Sequence, residues 1–212
     1  MRPVTTGLAV SAATLLLALA VTNASANRLS VSGKNLRIVY RSLEFTEEEA
    51  ALGTVRCPVT LEGSFHSGTI AKVRGALIGH LSRASIGAAS SCTGGDATVL
   101  SETLPWHIAY QSFSGTLPRI SSVRLSLIGV AALIHIRQVF EFFCRVRTTV
   151  TNPANAEALV EAGGTATNLR PDEVTGIPLF ECPSSTGHLA APAGDGAITV
   201  LGSTTKIAIT LI

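Results

Sequence analysis

Apolar and polar residues alternate along much of this chain with a period of two. From Val55 the apolar set Val55, Cys57, Val59 and Leu61 alternates with Arg56, Thr60 and Glu62, interrupted only by Pro58. Phe140, Phe142, Cys144 and Val146 alternate with Glu141, Arg145 and Arg147, Phe143 being the exception. Val123, Leu125 and Leu127 stand against Arg124 and Ser126, and Ile207, Ile209 and Leu211 stand opposite Ala208 and Thr210. Successive side chains of a strand point to opposite faces, so each stretch predicts a half-buried strand. NLRIVYRSLEF at 35–45 and GAITVLG at 196–202 read the same way. Short strands separated by Gly, Pro, Ser and Asn predict an all-β fold: an antiparallel β-sandwich, or flattened barrel, with at most short helical turns.

Two segments depart from that pattern. TEEEAALG at 46–53 has Thr46 and Glu49 at capping-box spacing, with acidic residues where a helix dipole favours them, and predicts a turn or two of helix. NPANAEALVEAGG at 152–164 places Asn152 as an N-cap, Pro153 at the first helical position and Gly163 just past the end, and predicts a short helix. TIAKVRGALIGHLSRASI at 69–86 carries both periods. Ile70, Val73 and Leu77 suit a helix, whereas Leu77 and Leu81 suit a strand interrupted by Gly79.

The amino terminus sets the expected compartment. Arg2, an apolar run from Leu8 to Val21 and the small-residue site Ala24-Ser25-Ala26 form the pattern of a secretory signal peptide over residues 1–26. The run is shorter than the roughly 20 residues a helix needs to cross a bilayer core, so no transmembrane anchor is expected after cleavage. Residues 27–212 then form a single secreted β-domain, large enough to enclose its own core. Its formal charge lies close to neutral, since the whole chain carries only +2 and loses Arg2 with the leader. Charges of both signs are scattered, which removes the electrostatic case for nucleic acid. Charged residues make up 14% of the chain against 46% apolar, too oily a balance for disorder. Aromatics at 5% are too few for the two girdles of an outer-membrane barrel.

Export changes how the four cysteines, Cys57, Cys92, Cys144 and Cys182, are read. An even number in a secreted chain points to two disulfides rather than to reactive thiols. Four cysteines allow three pairings, and sequence alone does not choose among them. Cys57, Cys144 and Cys182 fall on the apolar phase of their strands, and Cys92 opens the turn CTGGDA. We expect Cys57 with Cys182, joining the two Cys-Pro strands, and Cys92 with Cys144. Zinc would require close spacings such as Cys-x-x-Cys, which do not occur, and no metal or other cofactor is expected. A thiol nucleophile on Cys57 would look to His66 as base, but nine strand positions put the two on opposite faces and roughly 30 Å apart.

Other chemistry is sparse. The histidines at 66, 80, 107, 135 and 188 are scattered, and neither Gly-x-Ser-x-Gly nor His-Glu-x-x-His occurs. Glu62, Ser64, His66 and Ser67 are the local group best suited to hydrolysis, against the plainer reading of a polar turn. His135, between Ile134 and Ile136, is expected to face solvent beside Arg137. Trp106, Ile108 and Tyr110 share one face of a strand that begins after Pro105. Trp106 and Tyr110 are candidates for stacking a sugar ring, and more simply for the core.

The stretches CPVTLEGSFHSGTIAKVRGALIG, CTGGDATVLSETLPWHIAYQSFSGTLPRI and AITVLGSTTKIAITLI together resemble a group of uncharacterised secreted proteins from actinomycete-type soil bacteria, over nearly the whole mature chain. The resemblance implies export and an all-β domain with paired cysteines, and carries no catalytic residue with it. The expected function is therefore a non-enzymatic binding or structural role outside the cell or at its envelope. A polysaccharide, a lipid or an envelope protein is the kind of partner expected, with Trp106, Tyr110 and His66 as weak binding candidates. The alternative is an extracellular hydrolase with its site near Glu62 to Ser67.

Overall fold

In a computed structural model of the protein, the described residues are 28–47, 53–115, 119–138, 141–161, 164, 166–171, 174–180, 182 and 186–212. The expected leader, residues 1–26, lies outside them. The chain order of strands is β1 (Arg28–Val31), β2 (Asn35–Glu47), β3 (Thr54–Phe65), β4 (Thr69–Ala71), β5 (Leu77–Ile86), β6 (Gly95–Val99), β7 (Trp106–Ser114) and β8 (Ser122–Ile128). It continues with β9 (Ala131–Ile136), β10 (Phe142–Arg147), β11 (Ala154–Val160), β12 (Ala166–Pro171), β13 (Val174–Phe180), β14 (Thr186–Ala190), β15 (Ala197–Val200) and β16 (Ile209–Leu211). Helical structure among the described residues is limited to single 3-10 turns at Ala89–Ser91 and Ser101–Thr103. The fold is all-β and antiparallel, as the alternating pattern predicts.

The long hairpin of β2 and β3 organises everything else. Around its first half, β2, β3, β5, β7, β8, β11, β12 and β15 pair in turn, and β15 returns to β2 through Leu36–Val39. The result is a flattened barrel whose weakest seam joins β12 to β15 at Asn168 and Ala197. The second half of β2 pairs instead with β14, and the sheet runs on through β13, β10, β9 and β6. This second curl comes back to the start of β3 through reciprocal backbone hydrogen bonds between Arg56 and Thr93, at 3.0 and 2.9 Å. Gln138 adds to that seam: its side-chain carbonyl accepts the Thr54 N–H at 3.0 Å and its amide donates to the Thr54 carbonyl at 3.1 Å. A separate sheet of β16, β1 and β4 lies against the larger core through Leu29, Ile70 and Ile209.

A bulge lets β2 serve both curls. Tyr40 pairs with Val59 but Leu43 pairs with Cys57, so β2 carries one extra residue there. Before the bulge Leu36, Ile38 and Tyr40 point inward; after it Phe45 and Glu47 do. The inward phase switches from even to odd, and both halves keep their apolar side chains in a core. The N–H groups of Arg41 and Ser42, freed from the ladder, donate to the two carboxylate oxygens of buried Asp195 at 2.9 and 2.8 Å. Burial alone would raise the Asp195 pKa. The backbone N–H groups of Arg41, Ser42 and Gly196, with the Arg41 guanidinium, outweigh that and hold it below the ordinary carboxylate value.

Of the two expected helical segments, the one at 152–164 contains a strand rather than a helix, and the one at 46–53 lies mostly outside the described residues. Thr46 and Glu47 belong to β2. Residues 154–160 form β11, with Ala154, Ala156, Ala158 and Val160 all buried. Alanine and glutamate favour helix locally, but β11 is paired on both sides, to β8 and β12, and period-two burial overrides the propensity. The ambiguous segment 69–86 contains β4 and β5. Bulges against β7 and β3 shift the phase of β5, so its buried apolar side chains, Ile78 and Leu81, are three apart, with Gly79 buried between them. Gly63 and Gly79 permit the close crossing here. A Cβ at Gly63 would stand 2.0 Å from the His80 carbonyl, and one at Gly79 would stand 2.6 Å from that of Ser64.

Two disulfides are present, with a connectivity other than the expected one. Cys57 is bonded to Cys92 and Cys144 to Cys182. Cys57 does not meet Cys182 because Cys57 lies on β3 and Cys182 just after β13, strands that are not neighbours in the sheet. Cys92 instead precedes β6, where that curl returns to β3, and Cys182 follows β13, the hydrogen-bonded neighbour of β10. Both bonds tie the smaller curl, whose core is formed by Phe45, Val55, Cys57, Ile134, Ile136, Cys144, Val146 and Ala154.

Non-reducing peptide mapping is expected to recover the linked pairs 57–92 and 144–182, with no thiol titrating before reduction; a 57–182 peptide would refute this topology. Closing chain segments with separations of 35 and 38 residues, either bond removed by paired Cys→Ala changes should cost roughly 3–4 kcal/mol in urea unfolding. Asp195→Asn should cost about 1.5–3 kcal/mol at neutral pH. Because the folded pKa of Asp195 is depressed, its contribution is full above the unfolded carboxylate pKa and is lost as pH falls through the folded value. The penalty of Asp195→Asn should therefore shrink in acid.

Candidate functional site

The strand phase that positions β7 turns Trp106, Ile108 and Tyr110 into the larger core. Trp106 is 4% exposed and donates its indole N–H to the Thr103 hydroxyl at 2.9 Å. Tyr110 is equally buried, and that burial raises its pKa above the ordinary phenol value. Neither ring offers an outward face for a sugar to stack on.

The Glu62 to Ser67 group occupies the outer face of β3 and the turn after it. Glu62 lies 3.7 Å from Arg37 and 3.5 Å from Arg83, so its carboxylate is held by two arginines. Ser67 accepts the Thr69 N–H at 3.2 Å and touches the Thr69 hydroxyl at 3.4 Å. His66 is exposed, with its ring 5.6 Å from that of His80 on β5. Among the described residues no serine hydroxyl is hydrogen-bonded to a histidine ring, the contact a serine nucleophile needs from its base. No three His, Cys, Asp or Glu side chains among the described residues gather as metal ligands would.

His135 departs from its expected exposure. It does face away from the smaller core, as its position between Ile134 and Ile136 requires, yet it is only 9% exposed. Phe143 stacks on its ring at 4.2 Å, Glu141 meets Nε2 at 2.8 Å, and Asp96 lies 3.2 Å from Nδ1. Arg137 bonds both Asp96 and Nδ1 of His135. Phe143, the residue that breaks the strand alternation, thus covers a charged cluster on the outer face of the sheet. Every carboxylate in that cluster is engaged within it.

Where the two cores meet lies a cavity of about 120 Å³. Tyr40, Leu61 and Trp106 reach it from the larger core, and Phe45, Val55 and Ile134 from the smaller. Ala97, Ala132, Ala154 and Ala156 also line it, and these small inward residues leave the space that larger strand residues would fill. The polar groups around it are satisfied elsewhere. The Tyr40 hydroxyl donates to the Leu169 carbonyl at 2.9 Å, and Asn155 accepts from Ser126 at 2.7 Å. Burial first, and the nearby Asp195 carboxylate second, hold the Tyr40 pKa above its ordinary value. The space can therefore hold only an apolar group; an apolar cavity of roughly 150 Å³ stays dry and takes up benzene.

Sequence reasoning did not find this site, because its lining comes from strands distant along the chain. The one legible signal is alanine at inward positions of strands, where β-branched residues would pack better. No family profile, no curated protein and no solved structure matches this chain.

The two groups of candidates should separate in stability measurements. Trp106→Ala is expected to cost about 3–5 kcal/mol, as for loss of a buried aromatic. His66→Ala should stay within about 0.5 kcal/mol and Glu62→Gln within about 1 kcal/mol, since both act at the surface. Comparable losses at all three positions in urea unfolding would contradict these placements.

Proposed function

We propose that this chain is a secreted or envelope-associated, non-enzymatic β-domain that binds a small apolar guest between its two cores. The observation that carries the reading is the cavity itself: an apolar space at the junction of two cores, flanked by inward alanines, with no polar group left to be satisfied. Native sequences fill such positions readily, so alanine at four of them is better explained by a guest than by packing. The two disulfides are compatible with an oxidising extracellular setting, in keeping with the leader pattern at the amino terminus. Among the candidate partners this favours the apolar part of a lipid or similar molecule over a polysaccharide. No helix among the described residues is long and apolar enough to cross a membrane.

Trp106 is the single tryptophan of the chain and lines the cavity, so its fluorescence reports occupancy directly. Bromobutane, whose bromine quenches indole emission, is expected to quench it along a saturating curve. Quenching that stays linear, as for an indole free in solution, would overturn the reading. Ala132→Val narrows the cavity and should weaken bromobutane binding by at least about tenfold without lowering the unfolding temperature.

A further inference from the structure

We infer that the cavity is reached through a gap between β5 and β6, and that its guest is a small neutral amphiphile whose hydrogen-bonding head stays at the mouth. This rests on the guest-binding reading above and adds the path and the ligand chemistry. Beyond Leu81, β5 is paired only to β3, because its ladder with β7 ends at Leu81 and Trp106. β6 is paired only to β9. The last residues of β5 and the Asp96–Val99 part of β6 therefore border one cleft without a hydrogen-bonded ladder between them. A cleft of about 300 Å³ lies along this boundary. Ile86, Ala97 and Val99 line both the cleft and the cavity, so the two spaces adjoin at these side chains.

The mechanics follow from which bonds an opening would break. Where neighbouring strands around the cavity share a ladder, as β5 does with β3 and β6 with β9, parting them breaks backbone hydrogen bonds. Between β5 and β6 it displaces apolar side chains alone, and local opening favours such low-cost boundaries. One end of β6 is anchored, since Cys92 is bonded to Cys57 and Thr93 is hydrogen-bonded to Arg56. The Ala97–Val99 end is held on the side of β9 but has no hydrogen bond across to β5, and it is the end that touches the cavity.

The outer rim of the cleft is polar. Ser85 and Thr98 are exposed there and offer hydroxyls. Asp96 also borders the cleft, but its carboxylate is held by Arg137 and His135, so no uncompensated charge waits for an ionic head. Apolar interior and hydroxyl-bearing rim suit a neutral molecule with an alcohol or amide head. Its apolar part would reach about six carbons at most, by comparison with cavities that hold benzene.

Stopped-flow quenching of Trp106 tests this in the full chain. Bromobutane and bromobutanol serve as probes, differing by one hydroxyl. Ser85→Phe with Thr98→Phe places two rings over the rim without entering the cavity. This variant should slow bromobutane association and dissociation together by about tenfold or more while leaving its equilibrium binding within about twofold. Thr98→Val should weaken bromobutanol selectively, leaving bromobutane unchanged. If the unaltered protein binds neither probe, the guest-binding reading falls and this inference with it. If it binds both but the rim variants change neither rate nor selectivity, the cavity stands and the β5–β6 path is refuted.

Discussion

The extra residue in β2 is the constraint on which the whole arrangement depends. A strand that passed straight from one curl into the other would keep one face inward, and the residues after Tyr40 would turn their polar face to the second core. One inserted residue reverses that phase, but leaves two backbone N–H groups without ladder partners. Asp195, brought in from the loop between β14 and β15, accepts both. Unpaired buried donors of this kind are costly, and a charged acceptor meets them with the stronger class of hydrogen bond. The same loop separates the strand that pairs with the second half of β2 from the one that pairs with the first half. A single carboxylate thus fixes the point at which one sheet becomes two.

Two cores of unequal size follow from that division, and they are stabilised differently. The larger one encloses long aliphatic and aromatic side chains from most of the barrel strands and carries no disulfide. The smaller one has little apolar surface to bury and holds both. A small core that cannot offset chain entropy by burial alone is where covalent links contribute most. The disulfides also sit at the margins of the smaller curl, where it meets β3 and where β10 meets β13. The boundary between β5 and β6, next to the apolar cavity that the two cores fail to fill, has neither a ladder nor a covalent tie.

Local alternation was a good guide wherever a strand was straight. β3 reads in the sequence as it stands in the fold, with Val55, Cys57, Val59 and Leu61 inward; in β8 Val123 and Leu125 are buried as read, but Ser122 and Ser126 are buried as well. It failed at β5 and at β11, for different physical reasons. In β5 two bulges break the period, so no single phase is visible in its residues. In β11 the residues themselves prefer helix, and pairing on both edges decides the matter. His135 shows a third kind of miss: its outward phase was legible, but not the Phe143 ring and the carboxylates that cover it.

By itself the sequence determined the class of fold, the inward set of residues on the regular strands, and the number of cysteines available for pairing. These follow from properties of short segments, since the two-residue period of a strand is written in neighbouring side chains. Tertiary structure alone decided which strands close on which, which cysteines meet, and that a cavity opens where Tyr40, Trp106 and Ile134 converge. Those outcomes depend on residues far apart along the chain, placed together by a one-residue shift in β2. No local pattern can encode the empty volume that results, because a void is defined by what several distant side chains do not reach.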